Sequence, residues 1–215
     1  MEVVENLSAS VRKATGSHST PVALARFVAR QIKEVSDAKN PRVLDPACGD
    51  GALLAALQEC WPAADLHGYD LDGHALESVA LRLKGNFEAV DFLQVSRAFR
   101  DDLFAPEGFD AVIANPPYVR TQVMGAGKSQ EIAETFDLDG RVDLYFAFLE
   151  GIAAVLKPGG IAGVIVSNRF MTTKSGSTVR ARLLERFDVL HVWDLGDTRL
   201  FEAAVLPAVL LLRKK

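Results

Sequence analysis

Short apolar runs alternate with amphipathic segments along most of the chain, and this alternation predicts an α/β fold. The run FDAVIAN at 109–115 is typical of a buried strand, whereas STVRARLLERF at 177–187 has its apolar residues at helical spacing. Helices are predicted over residues 20–35, 51–60, 73–84, 142–156 and 177–187. Strands are predicted over residues 41–47, 65–71, 87–93, 109–115, 161–168, 190–196 and 206–214.

The order of these elements predicts how they pack. Strands that alternate with helices form a mainly parallel sheet with helices on both faces. The last two predicted strands are joined only by the short segment 197–205, which favours an antiparallel pair at one edge. We therefore expect a seven-stranded, mainly parallel sheet with one antiparallel edge strand, and ligands beyond the carboxyl ends of its strands. Thr20 is expected to cap the first helix, with Pro21 in the first turn.

Length and composition narrow the class of protein. The chain has 215 residues, of which 49% are hydrophobic and 24% charged, and this suits one domain over 16–215 after a tail at 1–15. Neither a membrane span nor a signal peptide is expected, so a cytoplasmic location is predicted. Cys48 and Cys60 lack the spacing of a metal site and are expected to be reduced thiols. The net charge of −4 argues mildly against a free-standing nucleic-acid binder.

The first strand ends in the loop DPACGDG at 45–51, which we interpret as a cofactor loop. Its glycines allow tight turns and a close approach of the backbone to a ligand. It matches neither the dinucleotide fingerprint nor the phosphate-binding loop, and Asp45 and Asp50 would repel a polyphosphate. An acidic, glycine-bearing loop suits a cationic or zwitterionic ligand, and S-adenosylmethionine is such a ligand.

Acidic residues also follow the next two predicted strands. Asp70 can accept both hydroxyls of a ribose, and Asp91 can accept from the amino group of an adenine on which Phe92 packs. Each of them alone is more typical of a solvated strand end. Together with the glycine loop, they favour a nucleoside site.

The fourth strand end, Asn115-Pro116-Pro117-Tyr118, suits a planar amine. The Asn115 amide oxygen and the Pro116 carbonyl can accept both protons of an NH2 group, Pro117 stiffens the corner, and Tyr118 offers a flat ring. This arrangement would turn the nitrogen lone pair toward a methyl donor without a strong base. A proline-terminated strand with a half-buried tyrosine is the alternative interpretation.

These motifs resemble the class I S-adenosylmethionine-dependent amino-methyltransferases, which have a Rossmann-like fold. The closest resemblance is to the N6-adenine DNA methyltransferases of restriction–modification systems in which a helix motif precedes the cofactor loop. The matching segments, in family order over roughly 16–213, are HSTPVALARFVARQI, DPACGDG, GYDLD, VDFL, NPPY, DLYFAFLEGIAAVLKPGGIAGVIVSN and LGDTRLFEAAVLPAVLLL.

The resemblance implies roles for individual residues. The residues implied to contact the methionine part of S-adenosylmethionine and its ribose are Thr20, Asp45, Ala47, Gly49 and Asp70. Those implied to surround its adenine are Leu71, Asp91, Phe92, Pro117, Leu144 and Phe148; core packing is equally typical of Leu144 and Phe148. Asn115 and Pro116 would hold the target amino group, and Tyr118 and Phe201 would stack on an adenine flipped out of duplex DNA.

The resemblance leaves the substrate open. The same NPPY chemistry serves methylation of RNA adenine, cytosine N4 and a protein glutamine, and a non-catalytic cofactor-binding scaffold is an alternative of another class. Family members that act alone carry a target-recognition domain, and we expect a separate domain or subunit to supply it here. Basic residues at 169–186 could contact phosphates or form a solvated helix face, and the long predicted loop at 119–141 suits a lid or a substrate contact.

Overall fold

A computed structural model of the chain describes residues 19–101, 107–118, 144–173, 176–196 and 206–215. The helices are α1 Val22–Val35, α2 Ala52–Cys60, α3 Gly73–Ala80, α4 Phe92–Asp101, α5 Leu144–Val155, α6 Arg169–Thr172 and α7 Ser177–Arg186. The strands are β1 Arg42–Asp45, β2 Asp65–Asp70, β3 Asn86–Ala89, β4 Phe109–Ala114, β5 Leu156–Ser167, β6 Phe187–Asp194 and β7 Pro207–Lys214.

The strands form one seven-stranded sheet in the order β3-β2-β1-β4-β5-β7-β6. The pairs from β3 to β5 are parallel, while β7 is antiparallel to both of its neighbours. The predicted mainly parallel sheet with its antiparallel pairing at one edge is therefore confirmed. The reversed strand β7 lies one position inside that edge, because it inserts between β5 and β6.

The order of the strands reverses between β1 and β4. The chain proceeds from β1 outward to β3 and then returns to β4 on the other side of β1. In open α/β sheets such a switch point opens a crevice at the carboxyl ends of the two strands. The residues that follow β1 and β4 therefore lie where this fold binds ligands.

Apolar layers cover both faces of the sheet. One core contains α5 and the apolar side chains of β4, β5 and β7 that point toward it. The other contains α1 and α2 and the opposite faces of the same strands. Gly163 allows α1 to approach β5 closely, since a Cβ there would lie 2.7 Å from Val28 and 2.8 Å from Ile32.

Several local predictions differ from the structure, among them the end of the predicted helix at 73–84, which stops at Ala80, and the start of the last strand but one, which is Phe187 rather than 190. Thr20 does not cap α1, because Pro21 is the N-cap residue and no side chain bonds to the helix end. The predicted strand at 87–93 ends at Ala89, and the helix α4, which the sequence pattern did not reveal, begins at Phe92. Asp91 causes this change, because its Oδ1 accepts from the backbone N–H of Leu93 at 3.0 Å and caps the helix.

Strand β5 is longer than the sequence pattern predicted. Strand β5 begins at Leu156 rather than at 161, and its pairing with β4 shifts between Phe109 and Ala111 to accommodate the extra residues.

In the part of the chain that the structure describes, no helix combines the length and apolar character needed to cross a bilayer.

Candidate functional site

The sheet brings three of the predicted strand-end residues to one crevice. Strand β1 lies between β2 and β4, so Asp45, Asp70 and Asn115 stand at the carboxyl ends of three adjacent parallel strands. The predictions for these three residues depended on this adjacency, which a parallel sheet provides and the linear sequence does not display.

The loop after β1 is a tight turn that β2 holds in place. Gly49 and Gly51 have φ values of 49° and 75°, in the left-handed region that side chains rarely adopt. The backbone N–H of Gly49 donates to Asp70 Oδ2 at 2.8 Å, and that of Cys48 donates to the Tyr69 carbonyl at 2.9 Å. Asp70 thus fixes the loop, which is a role that sequence reasoning did not assign to it.

Asp50 is held by hydrogen bonds from two residues that the sequence pattern did not single out. Ser19 Oγ donates to Asp50 Oδ2 at 2.6 Å, and the guanidinium of Arg82 donates to the Asp50 carbonyl at 2.5 Å. Ser19 lies within HSTPVALARFVARQI, the helix motif that precedes the cofactor loop, so the sequence offered a signal that it belongs to the site. Nothing in the local sequence singled out Arg82. These contacts join the start of α1 and the end of α3 to the cofactor loop.

Asp45 is a buried carboxyl group with one unpaired oxygen. It is 1% exposed, and Oδ1 accepts from the backbone N–H of Ala47 at 3.2 Å. Its Oδ2 has no hydrogen-bond partner among the described residues. Burial raises the pKa of Asp45 well above its ordinary value, the Ala47 hydrogen bond opposes this shift, and the charges of Asp70 and Asp50 add to it. An orphaned, buried carboxylate oxygen suits the amino group of a ligand such as S-adenosylmethionine.

The residues predicted to surround an adenine differ in how far the structure buries them. Phe92, Leu144 and Phe148 are buried in one core, where the rings of Phe92 and Phe148 lie 5.3 Å apart. Leu71 is 69% exposed at the end of β2, and it is therefore accessible to a ligand. The predicted adenine contacts of these residues, and of Asp91, stay predictions.

The amide of Asn115 is hydrogen-bonded on both sides. Its Nδ2 donates to Thr20 Oγ1 at 3.1 Å, and the Tyr118 hydroxyl donates to its Oδ1 at 2.9 Å. Thr20 therefore contacts the NPPY corner directly, and Tyr118 offers its hydroxyl as well as its ring. The sequence pattern predicted neither hydrogen bond, because it gives only the order of the residues.

The two prolines lie inside this corner, between Asn115 and Tyr118. Pro116 is buried, while Asn115, Pro117 and Tyr118 are half-buried. Burial raises the pKa of Tyr118, so its phenol is neutral and keeps its proton for Asn115. Phe201, the other predicted stacking residue, lies outside the described residues.

The basic segment at 169–186 also supports the fold. The guanidinium of Arg180 donates to the carbonyls of Phe170 and Thr173, the latter at 3.2 Å, and Arg186 Nε lies 3.7 Å from Glu150 Oε2. These contacts join α7 to α6 and α5. Lys174 and the predicted loop at 119–141 lie outside the described residues, and the phosphate contacts of this segment stay predictions.

Comparisons with known proteins place methyltransferases among the relatives of this chain. The chain is 40% identical to the Type II methyltransferase M.BanIII of Aneurinibacillus aneurinilyticus over 95% of its length and 39% of that protein. It is 33% identical to the Type II methyltransferase M.XhoI of Xanthomonas vasicola over 76% of its length and 32% of that protein. The chain thus spans well under half of the length of these relatives.

A solved structure supports the fold. The chain superposes with a TM-score of 0.73 and 23% identity on a Listeria monocytogenes protein assigned to the class I S-adenosylmethionine-dependent methyltransferases. The match covers 91% of this chain and 60% of that one, and it confirms the Rossmann-like fold. The family model of the Eco57I restriction-modification methylases matches residues 66–201, which include β2, β4 with its NPPY corner, and β5. The chain belongs to the Eco57I restriction-modification methylase family.

Proposed function

We propose that the chain is the catalytic core of an enzyme that transfers a methyl group from S-adenosylmethionine to the N6 amino group of adenine in DNA. The observation that carries the proposal is the position of Asn115 and Pro116 beside Asp45, at the switch point between β4 and β1. The Type II methyltransferases to which the chain is similar support DNA as the substrate.

The cofactor loop has donors and acceptors that fit S-adenosylmethionine. Asp45 Oδ2 is a buried acceptor without a partner and would take the amino group of the cofactor. Each oxygen of Asp70 accepts one backbone N–H and has a second lone pair for a ribose hydroxyl. When bound, S-adenosylmethionine supplies a methyl group on a positively charged sulfur.

The NPPY corner would hold the target amine. Asn115 Oδ1 and the Pro116 carbonyl would accept its two N–H groups, so that the nitrogen lone pair points away from both acceptors. The lone pair of an aromatic amine is delocalised and weakly nucleophilic, and acceptors on both protons favour the tetrahedral nitrogen of the transition state. The ring of Tyr118 would stack on an adenine that has left the duplex.

The proposal is tested with methyl-labelled S-adenosylmethionine and, in separate reactions, unmethylated plasmid DNA, RNA and a protein extract. Digestion of the products should place the label in N6-methyladenine from DNA. Label in N4-methylcytosine, in RNA or in methylglutamine would overturn the proposed substrate. Cofactor binding without any transfer would favour a scaffold.

Asn115→Ala should reduce transfer to plasmid DNA by at least about 100-fold, because it removes an acceptor from the developing charge. Cofactor affinity, measured by calorimetry, should change by less than about threefold. The matched control is Asn86→Ala, an exposed asparagine at the start of β3, far from the switch point. Transfer that survives in the Asn115 variant contradicts the role given to this residue.

A further inference from the structure

The hydroxyl groups of Thr20 and Tyr118 both form hydrogen bonds with the side-chain amide of Asn115. Thr20 lies 95 residues before Asn115 and accepts from Nδ2, while Tyr118 lies three residues after it and donates to Oδ1. An asparagine amide can rotate by 180° with little change of shape, and this rotation exchanges its acceptor and its donor. A rotated Asn115 would present an NH2 group to the target amine, and two donors repel each other.

The two hydroxyls differ in a way that selects one orientation. A phenol is a strong donor and a weak acceptor, because its oxygen lone pair is delocalised into the ring. The aliphatic hydroxyl of Thr20 has no such delocalisation and is the better acceptor. The oxygen of the amide therefore faces Tyr118, and its nitrogen faces Thr20, as the structure has them.

Thr20 is well placed to fix this orientation. Its side chain is 7% exposed, and a β-branched residue has few accessible rotamers. It precedes Pro21, the N-cap residue of α1, and α1 is fixed on β5 through Val28 and Ile32, which are both fully buried. The position of Oγ1 thus follows from the packing of a whole helix.

We propose that Thr20 is a positioning residue for catalysis, whose hydroxyl keeps Asn115 Oδ1 directed at the target amine. The role rests on the proposed function. Tyr118 is the exchangeable partner, because its hydroxyl occupies one of the two lone pairs of the oxygen that the entering amine also needs. Thr20 is the permanent partner, because it binds the end of the amide that the amine does not use.

The first test requires neither cofactor nor DNA. In the wild type, the side-chain NH2 signals of Asn115 are identified by NMR as the pair that Asn115→Asp removes. Their exchange with solvent should be slow, should stay within about threefold of that rate in Thr20→Ser, and should accelerate by about tenfold or more in Thr20→Val. An unchanged rate in Thr20→Val overturns the proposal.

The second test separates positioning from binding. At saturating S-adenosylmethionine, Thr20→Val should lower the kcat of methyl transfer to plasmid DNA by about 10- to 100-fold, while the KM for DNA changes by less than about threefold. Thr20→Ser, which keeps the hydroxyl, should restore most of the kcat. Ser78→Ala, which removes an exposed hydroxyl on α3, should match the wild type.

The outcomes distinguish this role from the proposed function. Wild-type protein that transfers no methyl group contradicts the proposed function, while the exchange rates still decide whether Thr20 holds the amide. A Thr20→Val variant with normal kcat but weak cofactor binding contradicts positioning and assigns Thr20 to the cofactor alone.

Discussion

Asp45 combines a stability cost with a proposed binding role. Its carboxyl group is buried, only Oδ1 is hydrogen-bonded among the described residues, and burial holds its pKa above the ordinary value of 3.8. Ionisation of this carboxyl group is therefore less favourable in the folded protein than in the unfolded chain, so it costs stability at neutral pH. A ligand amino group would compensate it, so the strain of the free loop would be relieved when the cofactor binds.

We expect Asp45→Asn to raise the melting temperature of the cofactor-free protein at pH 7, by roughly 2–4 °C for each 1 kcal/mol recovered. A carboxyl group with a raised folded-state pKa favours unfolding when it is charged. The wild type should therefore gain stability as the pH falls through the raised pKa, and its difference from the variant should vanish below about 3.8. Calorimetry between pH 7 and pH 3.5 measures both effects.

The same variant should bind S-adenosylmethionine at least about tenfold more weakly, because an amide attracts a cationic amino group less strongly than a carboxylate does. The matched control is Asp37→Asn, an exposed aspartate, which should change neither property. A lower melting temperature for Asp45→Asn at pH 7 would mean that the carboxylate is stabilised within the free protein.

At the scale of elements, α1 links the core to the NPPY corner after β4. Val28 and Ile32 of this helix pack directly against the backbone of β5 at Gly163, because Gly163 has no side chain to keep them away. The first turn of the helix follows Thr20, which bonds Asn115 at the end of β4. A change in the distance between α1 and the sheet would therefore move Thr20 and, through its hydrogen bond, the amide of Asn115.

Gly163→Ala tests this coupling. The new methyl group would lie 2.7–2.8 Å from three carbon atoms of Val28 and Ile32, and such overpacking costs about 1–3 kcal/mol. The melting temperature should fall, and methyl transfer should fall with it at a temperature where the variant is folded. Gly73→Ala is the control, since its Cβ would have only Ala89 Cβ nearby, at 3.9 Å. Transfer that stays normal despite lower stability would show that the helix position does not control the site.

At the scale of the whole molecule, local pattern predicted the strands and their ends, but not the contacts between distant segments. The strand at 109–115 and the turn after Asp45 are encoded by neighbouring residues, and so they could be predicted. The bond from Asn115 to Thr20 and the orphaned oxygen of Asp45 depend on packing between elements, which no local pattern contains. Helix α4 was missed because Asp91 ends the strand with a side-chain cap in an otherwise strand-like run.

The two ends of the parallel strands have different roles. Asp45, Asp70 and Asn115, the strand-end residues proposed to contact ligands, lie at the carboxyl ends of the parallel strands. The amino ends of β1, β4 and β5 hold an ion-pair network. Lys157 Nζ lies 2.8 Å from both Asp110 Oδ1 and Glu107 Oε1, and Asp110 Oδ2 accepts from the backbone N–H of Arg42 at 2.8 Å. The hydrogen bond from Lys157 to Asp110 is the main cause that raises the pKa of Lys157.

Asp110→Ala should therefore destabilise the protein without impairing its chemistry. It leaves the Arg42 N–H without an acceptor and the Lys157 ammonium with Glu107 as its remaining partner among these residues, at a cost of about 1–3 kcal/mol. Chemical denaturation measures this loss. Asp110 and Asn115 are five residues apart on one strand, or roughly 16 Å, so kcat at 25 °C should match the wild type. Asp110→Asn keeps one acceptor oxygen and should lose less stability. A kcat reduced more than about twofold in fully folded Asp110→Ala would show that the two ends are coupled through β4.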